Sequence, residues 1–250
     1  MEIGNKNKVL LVLGASSDIG VGLIKKVSND YDFIIGHFNS TSENLEKLKL
    51  AFGSKLILLS ANFNNLNSTN SLVESIINNG LIPTHILHLP AVPGNIKRFS
   101  KMPWDDFEKR IFISLRSIVL ILKALLPLMS KQGGGKVIIM LTIHTTQKPL
   151  KGCSDYVTEK YALLGLIKSL AAEYEDKGIT FNGVSPGAID TKFNNMLPDF
   201  VLEQYAAGSD SGSNLKVEEI LPDIEYLFSN KCDKITGKNF VIDGSGLDNL

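Results

Sequence analysis

The chain has 250 residues, and its 26 Lys and Arg balance its 26 Asp and Glu, so the formal net charge is zero. That balance excludes the basic footprint by which proteins hold nucleic acid or anionic membrane surfaces. Hydrophobic residues at 44% suffice for a substantial core in one α/β domain.

The N-terminal Met1–Lys6 lacks a signal-peptide core, and no apolar run is read as reaching a membrane span. The two cysteines, Cys153 and Cys232, cannot make a disulfide framework and are read as free thiols in a reducing cytoplasm.

Taken in order, Lys8–Leu13 predicts a buried strand and Ile19–Ser28 a helix. Asp32–Gly36 follows as strand, Ser42–Ala51 as helix, Lys55–Ser60 as strand and Leu66–Asn79 as helix. His85–Leu89 is a strand, Trp104–Ser130 a long helix, Lys136–Leu141 a strand, Asp155–Asp176 a second long helix and Ile179–Val184 a strand. Val217–Ser229 is helical and Asn239–Ile242 is a last short strand. Unbroken Val/Ile/Leu runs suit strands covered on both faces. The repeated strand–helix order predicts one doubly wound, Rossmann-type domain over residues 1–250, with a central parallel sheet of about seven strands. Asp190–Leu215 breaks the rhythm. Its Gly/Ser/Asp-rich core predicts a mobile lid beyond the C-terminal strand ends, where ligands bind in such sheets.

Two motifs carry chemistry. Gly14-Ala15-Ser16-Ser17-Asp18-Ile19-Gly20 joins the first strand to the first helix. Gly14 permits a tight turn, Gly20 permits close helix–sheet packing, and Ser16, Ser17 and Asp18 supply donors and a cap. The helix start offers free N–H groups to a pyrophosphate. Tyr156 and Lys160, four residues apart, share one helix face. A phenol is ordinarily a poor proton donor or acceptor at neutral pH, and a cation within reach favours its ionised form. With the glycine turn, the pair points to a nicotinamide cofactor beside a proton donor.

The end of the second strand, Gly36-His37-Phe38-Asn39-Ser40, holds no carboxylate to select NAD and no Arg or Lys to clamp a ribose phosphate. The reading leans to NADP, with NAD open, and gives protonated His37 a part in holding the phosphate.

The motifs together resemble the short-chain dehydrogenase/reductase family, in particular bacterial 3-oxoacyl carrier-protein reductases. The Gly14–Gly20 turn resembles its cofactor turn, Tyr156–Lys160 its Tyr-x-x-x-Lys, Asn182–Thr191 its Asn…Pro-Gly…Thr segment, and Ile235–Gly244 its C-terminal strand and turn. The resemblance implies hydride transfer between NAD(P) and a carbonyl/alcohol pair, with Tyr156 as acid/base and Lys160 supporting it and binding the ribose. Thr142 stands where the family has a substrate-orienting serine; a shifted gap would put Ile143 there instead. Ser114 replaces the helix asparagine that supports a relay water.

Cofactor contacts are implied for Gly14, Ser16, Ser17, Asp18, Ile19, Gly20, His37, Asn39, Asn62, Phe63, Pro90, Ala91, Tyr156, Lys160, Pro186, Gly187, Ile189 and Thr191. Departures are His88-Leu89-Pro90-Ala91 for Asn-Asn-Ala-Gly, where Pro90 removes a backbone donor, and Asn62 for an acidic residue. This drift keeps a second reading open, a dinucleotide-binding scaffold or sensor with little turnover.

His88 reads as a core residue, His144 as lining the site's mouth, and Trp104 as a packing anchor. No cluster has metal-ligand spacing, so no metal is expected. The apolar helices 104–130 and 155–176 predict a homodimer or homotetramer, as in the family.

Overall fold

The computed structural model describes residues 7–40, 43–93, 96–194, 201 and 213–242. Val9–Leu13, with no polar member, forms β1, and all five side chains are buried. Successive strand residues point to opposite faces, so such a run needs cover on both. Leu10 and Val12 belong to one core layer with Leu23, Ile24, Ile220 and Ile224; Val9, Leu11 and Leu13 belong to the other with Leu72, Ile118, Ile121, Leu163 and Ile167. Each fully buried Leu or Ile contributes about 2 kcal/mol.

The remaining strands are β2 (Phe33–Phe38), β3 (Leu56–Ser60), β4 (His85–His88), β5 (Gly135–Met140), β6 (Ile179–Pro186) and β7 (Asn239–Ile242). All pairs are parallel, in the order β3-β2-β1-β4-β5-β6-β7. Helices α1 (Asp18–Val27) and α2 (Glu43–Phe52) precede β2 and β3, and α3 (Leu66–Asn78) precedes β4. Then come α4 (Trp104–Arg110), α5 (Ser117–Lys131), α6 (Ser154–Glu173) and α7 (Val217–Phe228). The strand order reverses between β1 and β4, the place where sheets of this kind leave a crevice beyond the carboxyl ends of their strands.

The long helix expected at 104–130 is continuous but not regular. A π-helical stretch, Ile111–Arg116, joins α4 to α5. By length and composition Trp104–Lys131 is apolar enough to cross a membrane, which corrects the reading that no run reaches that length. One face of it is core: Ile118, Ile121, Leu122, Leu125, Leu126 and Met129 are buried in the layer over β1, β4 and β5. Val119, Leu120 and Ala124 on its other side are half-buried.

Most of the predicted lid, residues 195–200 and 202–212, lies outside the described residues. Its two ends meet: Asp190 N–H donates to the Leu215 carbonyl at 2.7 Å and Leu215 N–H to Ala188 at 2.8 Å.

Candidate active site

The crevice is built first by the turn after β1. Gly14 takes φ +82°, a conformation that disfavours a side chain, and the backbone of Leu89 and Pro90 crosses close beside it. Ser17 caps α1, accepting from Gly20 N–H at 3.1 Å while its hydroxyl donates to the Gly14 carbonyl at 2.8 Å. A Cβ on Gly20 would stand 2.8 Å from Ala15 Cα and from the Gly14 oxygen, so only glycine lets α1 start this close to the strand. The first turn of α1 therefore presents N–H groups and the positive end of its dipole to the crevice.

A cavity of about 220 Å³ opens there. Ser16, Ser17, Asp18 and Ile19 form one wall; Leu89, Ala91 and Met140–Thr142 form the floor; Pro186–Ile189 and Thr191–Asn194 form the far side. Tyr156 and Lys160, from the first turns of α6, line the same cavity. Lys160 is 2% exposed, and its ammonium donates to the Met140 carbonyl at 3.0 Å, lies 3.3 Å from the Glu159 carboxylate and stands 5.6 Å from the centre of the Tyr156 ring. Thr142, on extended backbone beyond β5, is buried and lines the cavity beside Tyr156, whereas Ile143 does not.

The structure brings twelve of the residues singled out from sequence into this one cavity: Ser16, Ser17, Asp18, Ile19, Ala91, Thr142, Tyr156, Lys160, Pro186, Gly187, Ile189 and Thr191. Gly14 and Gly20 shape the turn behind it. Asn39 is exposed at the end of β2. Asn62 caps a local turn, its side-chain oxygen accepting from Asn64 N–H at 2.9 Å. Pro90 is buried and turns its carbonyl to Ser114. Phe63 is core, stacked at 4.0 Å on His37.

Two assignments need correction. His37 does not face a phosphate: it is 2% exposed, its Nδ1 accepts from Gly14 N–H at 3.2 Å, and its Nε2 pairs with the Ala61 carbonyl at 3.0 Å. Desolvation pushes its pKa down to about 4, so it is a neutral brace under the turn and not a cation. Ser114 is fully buried outside the cavity, and its hydroxyl donates to the Pro90 carbonyl at 3.1 Å.

His144 and Trp104 also depart from expectation. His144 is 4% exposed and lies outside the cavity lining, with burial pushing its pKa down. His88 is fully buried, kept neutral by desolvation and by the Lys160 charge. Trp104 is 64% exposed and stacks on Phe107 at 6.0 Å, so it does not anchor the core. Burial and the Asp155 carboxylate push the Cys153 thiol up, which disfavours a nucleophilic role. Among the described residues no group of three His, Cys, Asp or Glu side chains could hold a metal.

His85, between Tyr31 and Phe228 at the opposite end of the sheet, is likewise buried, and desolvation with the Lys8 and Lys136 charges pushes it down to about 3. Both His37 and His85 bind protons more readily unfolded than folded. Their stabilising effect is complete above about pH 6.5 and is lost as pH falls toward 4, at on the order of 3 kcal/mol for each ring. The urea midpoint should hold steady from pH 8 to about 6.5 and then fall; a midpoint unchanged at about pH 4.5 would contradict this assignment.

Sequence reasoning missed a buried ionic cluster. Arg110 on α4 is 2% exposed, lies 5.4 Å from the Tyr156 ring centre, and bonds Asp155 and Glu159 of α6. Its signal was an acidic pair at i,i+4 flanking Tyr156 in the first turns of the helix. Lys192, Phe193 and Asn194 were missed as cavity residues, and the Lys160–Met140 bond uses a backbone oxygen that no side-chain pattern marks.

Residues 14–246 match a family model described as Enoyl-(Acyl carrier protein) reductase. The chain belongs to the short-chain dehydrogenase/reductase family. Among its relatives in that family is the dehydrogenase/reductase SDR family member 4 of Sus scrofa, 26% identical over 253 residues that cover 98% of this chain and 89% of the relative. The 3-oxoacyl-(acyl-carrier-protein) reductase FabG of Haemophilus influenzae is 28% identical over 243 residues, 96% of this chain and 98% of that protein. A short-chain dehydrogenase/reductase of Serratia marcescens shares the fold at TM-score 0.86 and 24% identity, covering 96% of this chain and 97% of that one. The family implies an oxidoreductase with a nicotinamide dinucleotide. The residues present fit that group: a capped helix start, a Gly20 position with no room for a side chain, and open space at Gly187.

Proposed function

We propose that the protein is an NAD(P)-dependent oxidoreductase that reduces a carbonyl, or oxidises the corresponding alcohol, with Tyr156 as acid/base. The observation that carries this reading is convergence. Tyr156, Lys160 and Thr142 line the same cavity as the Ser16–Ile19 helix start. A bound nicotinamide would supply or accept the hydride at carbon.

The chain's own residues do the rest. The α1 start and Thr191 would hold a bound dinucleotide, the helix start being suited to its anionic phosphates. Thr142 offers a hydroxyl to the substrate oxygen. Tyr156 exchanges the proton at that oxygen. Lys160, steadied by the Met140 carbonyl, keeps a positive charge beside the phenol. A scaffold without turnover would need the helix start but not the phenol, so the shared cavity favours turnover.

The lean to NADP rests on the absence of a carboxylate at Asn39 and Ser40. With His37 neutral, it no longer includes a histidine clamp. The reading also takes the chain as one domain with a lid over 190–215, a homodimer or homotetramer through α4–α5 and α6, and a cytoplasmic protein, supported by two free cysteines.

A second reading, reduction of an enoyl double bond, is motivated by the description of the matched family model. A panel separates them: 3-oxoacyl thioesters, small ketones and enoyl thioesters, each with NADPH and with NADH, followed by loss of reduced-nicotinamide absorbance. Turnover of a ketone and none of an enoyl thioester supports the first reading. The reverse result supports the second, and no turnover of any compound favours the scaffold.

A further inference from the structure

The buried ionic cluster has a directional architecture. Arg110 closes α4, and its guanidinium reaches two other segments at once. Nε donates to Asp155 Oδ2 at 2.6 Å, and Nη1 donates to the Val92 carbonyl at 2.6 Å and reaches Glu159 Oε2 at 3.4 Å. Nη2 donates to the Pro93 carbonyl at 3.1 Å. Val92 and Pro93 continue the segment whose Leu89 and Ala91 form the cavity floor. Asp155 immediately precedes Tyr156, and Glu159 immediately precedes Lys160. From Glu159 the contacts run on to the Lys160 ammonium at 3.3 Å and from there to Met140. The side chains of Arg110, Asp155, Glu159 and Lys160 are each at most 3% exposed.

Stability alone does not account for this arrangement. A buried ion cluster is often no more stabilising than apolar side chains of equal volume, because desolvation offsets the attraction. What a guanidinium adds is fixed spacing: a rigid planar fork holds several acceptors at set angles. Here the acceptors belong to the cavity floor and to the helix that carries both Tyr156 and Lys160.

We propose that Arg110 is a positioning residue, clamping the Val92–Pro93 loop to the first turns of α6 so that the Tyr156 phenol and the Lys160 ammonium stand at a fixed distance from bound substrate. The proposal rests on Tyr156 being the acid/base. Reacting groups displaced by about 1 Å lose on the order of 100-fold in rate, so a clamp of this kind acts on kcat before it acts on cofactor affinity.

Arg110→Met alone strands two buried carboxylates, so the decisive variant is the triple R110M/D155N/E159Q, which removes the charges together. Arg110→Lys accompanies it, keeping a charge and losing the fork. For folded protein, checked by circular dichroism, we expect kcat to fall by about 100-fold in the triple variant and by at least about tenfold in Arg110→Lys. The NADPH dissociation constant should stay within about threefold in both. Unchanged kcat per folded molecule in both variants would overturn the clamp and leave a structural role only. Should the triple variant not fold, Arg110→Lys decides by the same criterion. Tyr156→Phe run in parallel separates the two failures. Inactive Tyr156→Phe beside active Arg110 variants sinks the clamp alone, and active Tyr156→Phe sinks the acid/base reading beneath it.

Discussion

Tyr156→Phe should lower turnover by at least about 100-fold while NADPH or NADH binds as before. The substitution deletes one oxygen and keeps a ring that is half-buried beside Arg110 and Lys160. Fold and cavity shape are therefore preserved, and what disappears is the hydroxyl proposed to exchange a proton with the substrate oxygen. General acid catalysis contributes about 100- to 10,000-fold, which sets the lower bound. Hydride transfer to a carbonyl without proton delivery leaves an alkoxide facing Thr142 and a buried ammonium, neither of which regenerates a neutral product as readily. An unchanged rate would exclude Tyr156 as the proton donor and favour either another acid or a scaffold that does not depend on the phenol.

Gly20→Ala should weaken dinucleotide binding by at least about tenfold and destabilise the fold by about 1–3 kcal/mol, the usual cost of overpacking. The added methyl would meet Ala15 Cα and the Gly14 carbonyl at 2.8 Å and the Ala15 carbonyl at 2.9 Å. These are backbone atoms of the turn itself, so relief requires moving either the turn or the start of α1, which together build the wall proposed to hold the dinucleotide.

Gly22, one half-turn on, supplies the control. A methyl there meets only the side-chain ends of Leu221 and Val217, at 3.1 Å, which can shift. Alanine in a helix interior gains about 0.5–1 kcal/mol over glycine. Gly22→Ala should therefore bind cofactor as the parent does. Equal losses in the two variants, by isothermal titration, would show that the tight packing at Gly20 has no special part in the site.

The seven strands and their flanking helices were legible because buried parallel strands need unbroken apolar runs, and Val9–Leu13 and Val137–Met140 have them. The glycine turn and the Tyr156–Lys160 pair were legible because each needs fixed spacing along one local element. His37 was misread for the opposite reason. Its position at the strand end is right for a ribose phosphate, but the ring turns inward to Gly14 and Ala61, a choice made by tertiary packing on Phe63. Ser114 was misread similarly, since it lies in a π-helical stretch and its hydroxyl donates to the Pro90 carbonyl. Arg110 was missed because its partners lie 45 and 49 residues away, and the acidic pair at Asp155 and Glu159 does not by itself name the cation that meets it.

Trp104 shows the limit of residue type as a guide. A lone tryptophan at a helix start reads as an anchor, yet the short α4 presents it outward against Phe107. Of the segment 190–215, only 190–194, 201 and 213–215 fall among the described residues, with a bridge pairing Ile189 and Leu215 at its ends.

The most direct measurement is a titration of the purified protein with NADPH and with NADH, read by nicotinamide fluorescence and by calorimetry, with Gly20→Ala alongside. Saturable one-to-one binding at micromolar concentration is expected, tighter for NADPH and weakened by Gly20→Ala. Binding of neither dinucleotide at millimolar concentration would contradict both the oxidoreductase and the scaffold readings.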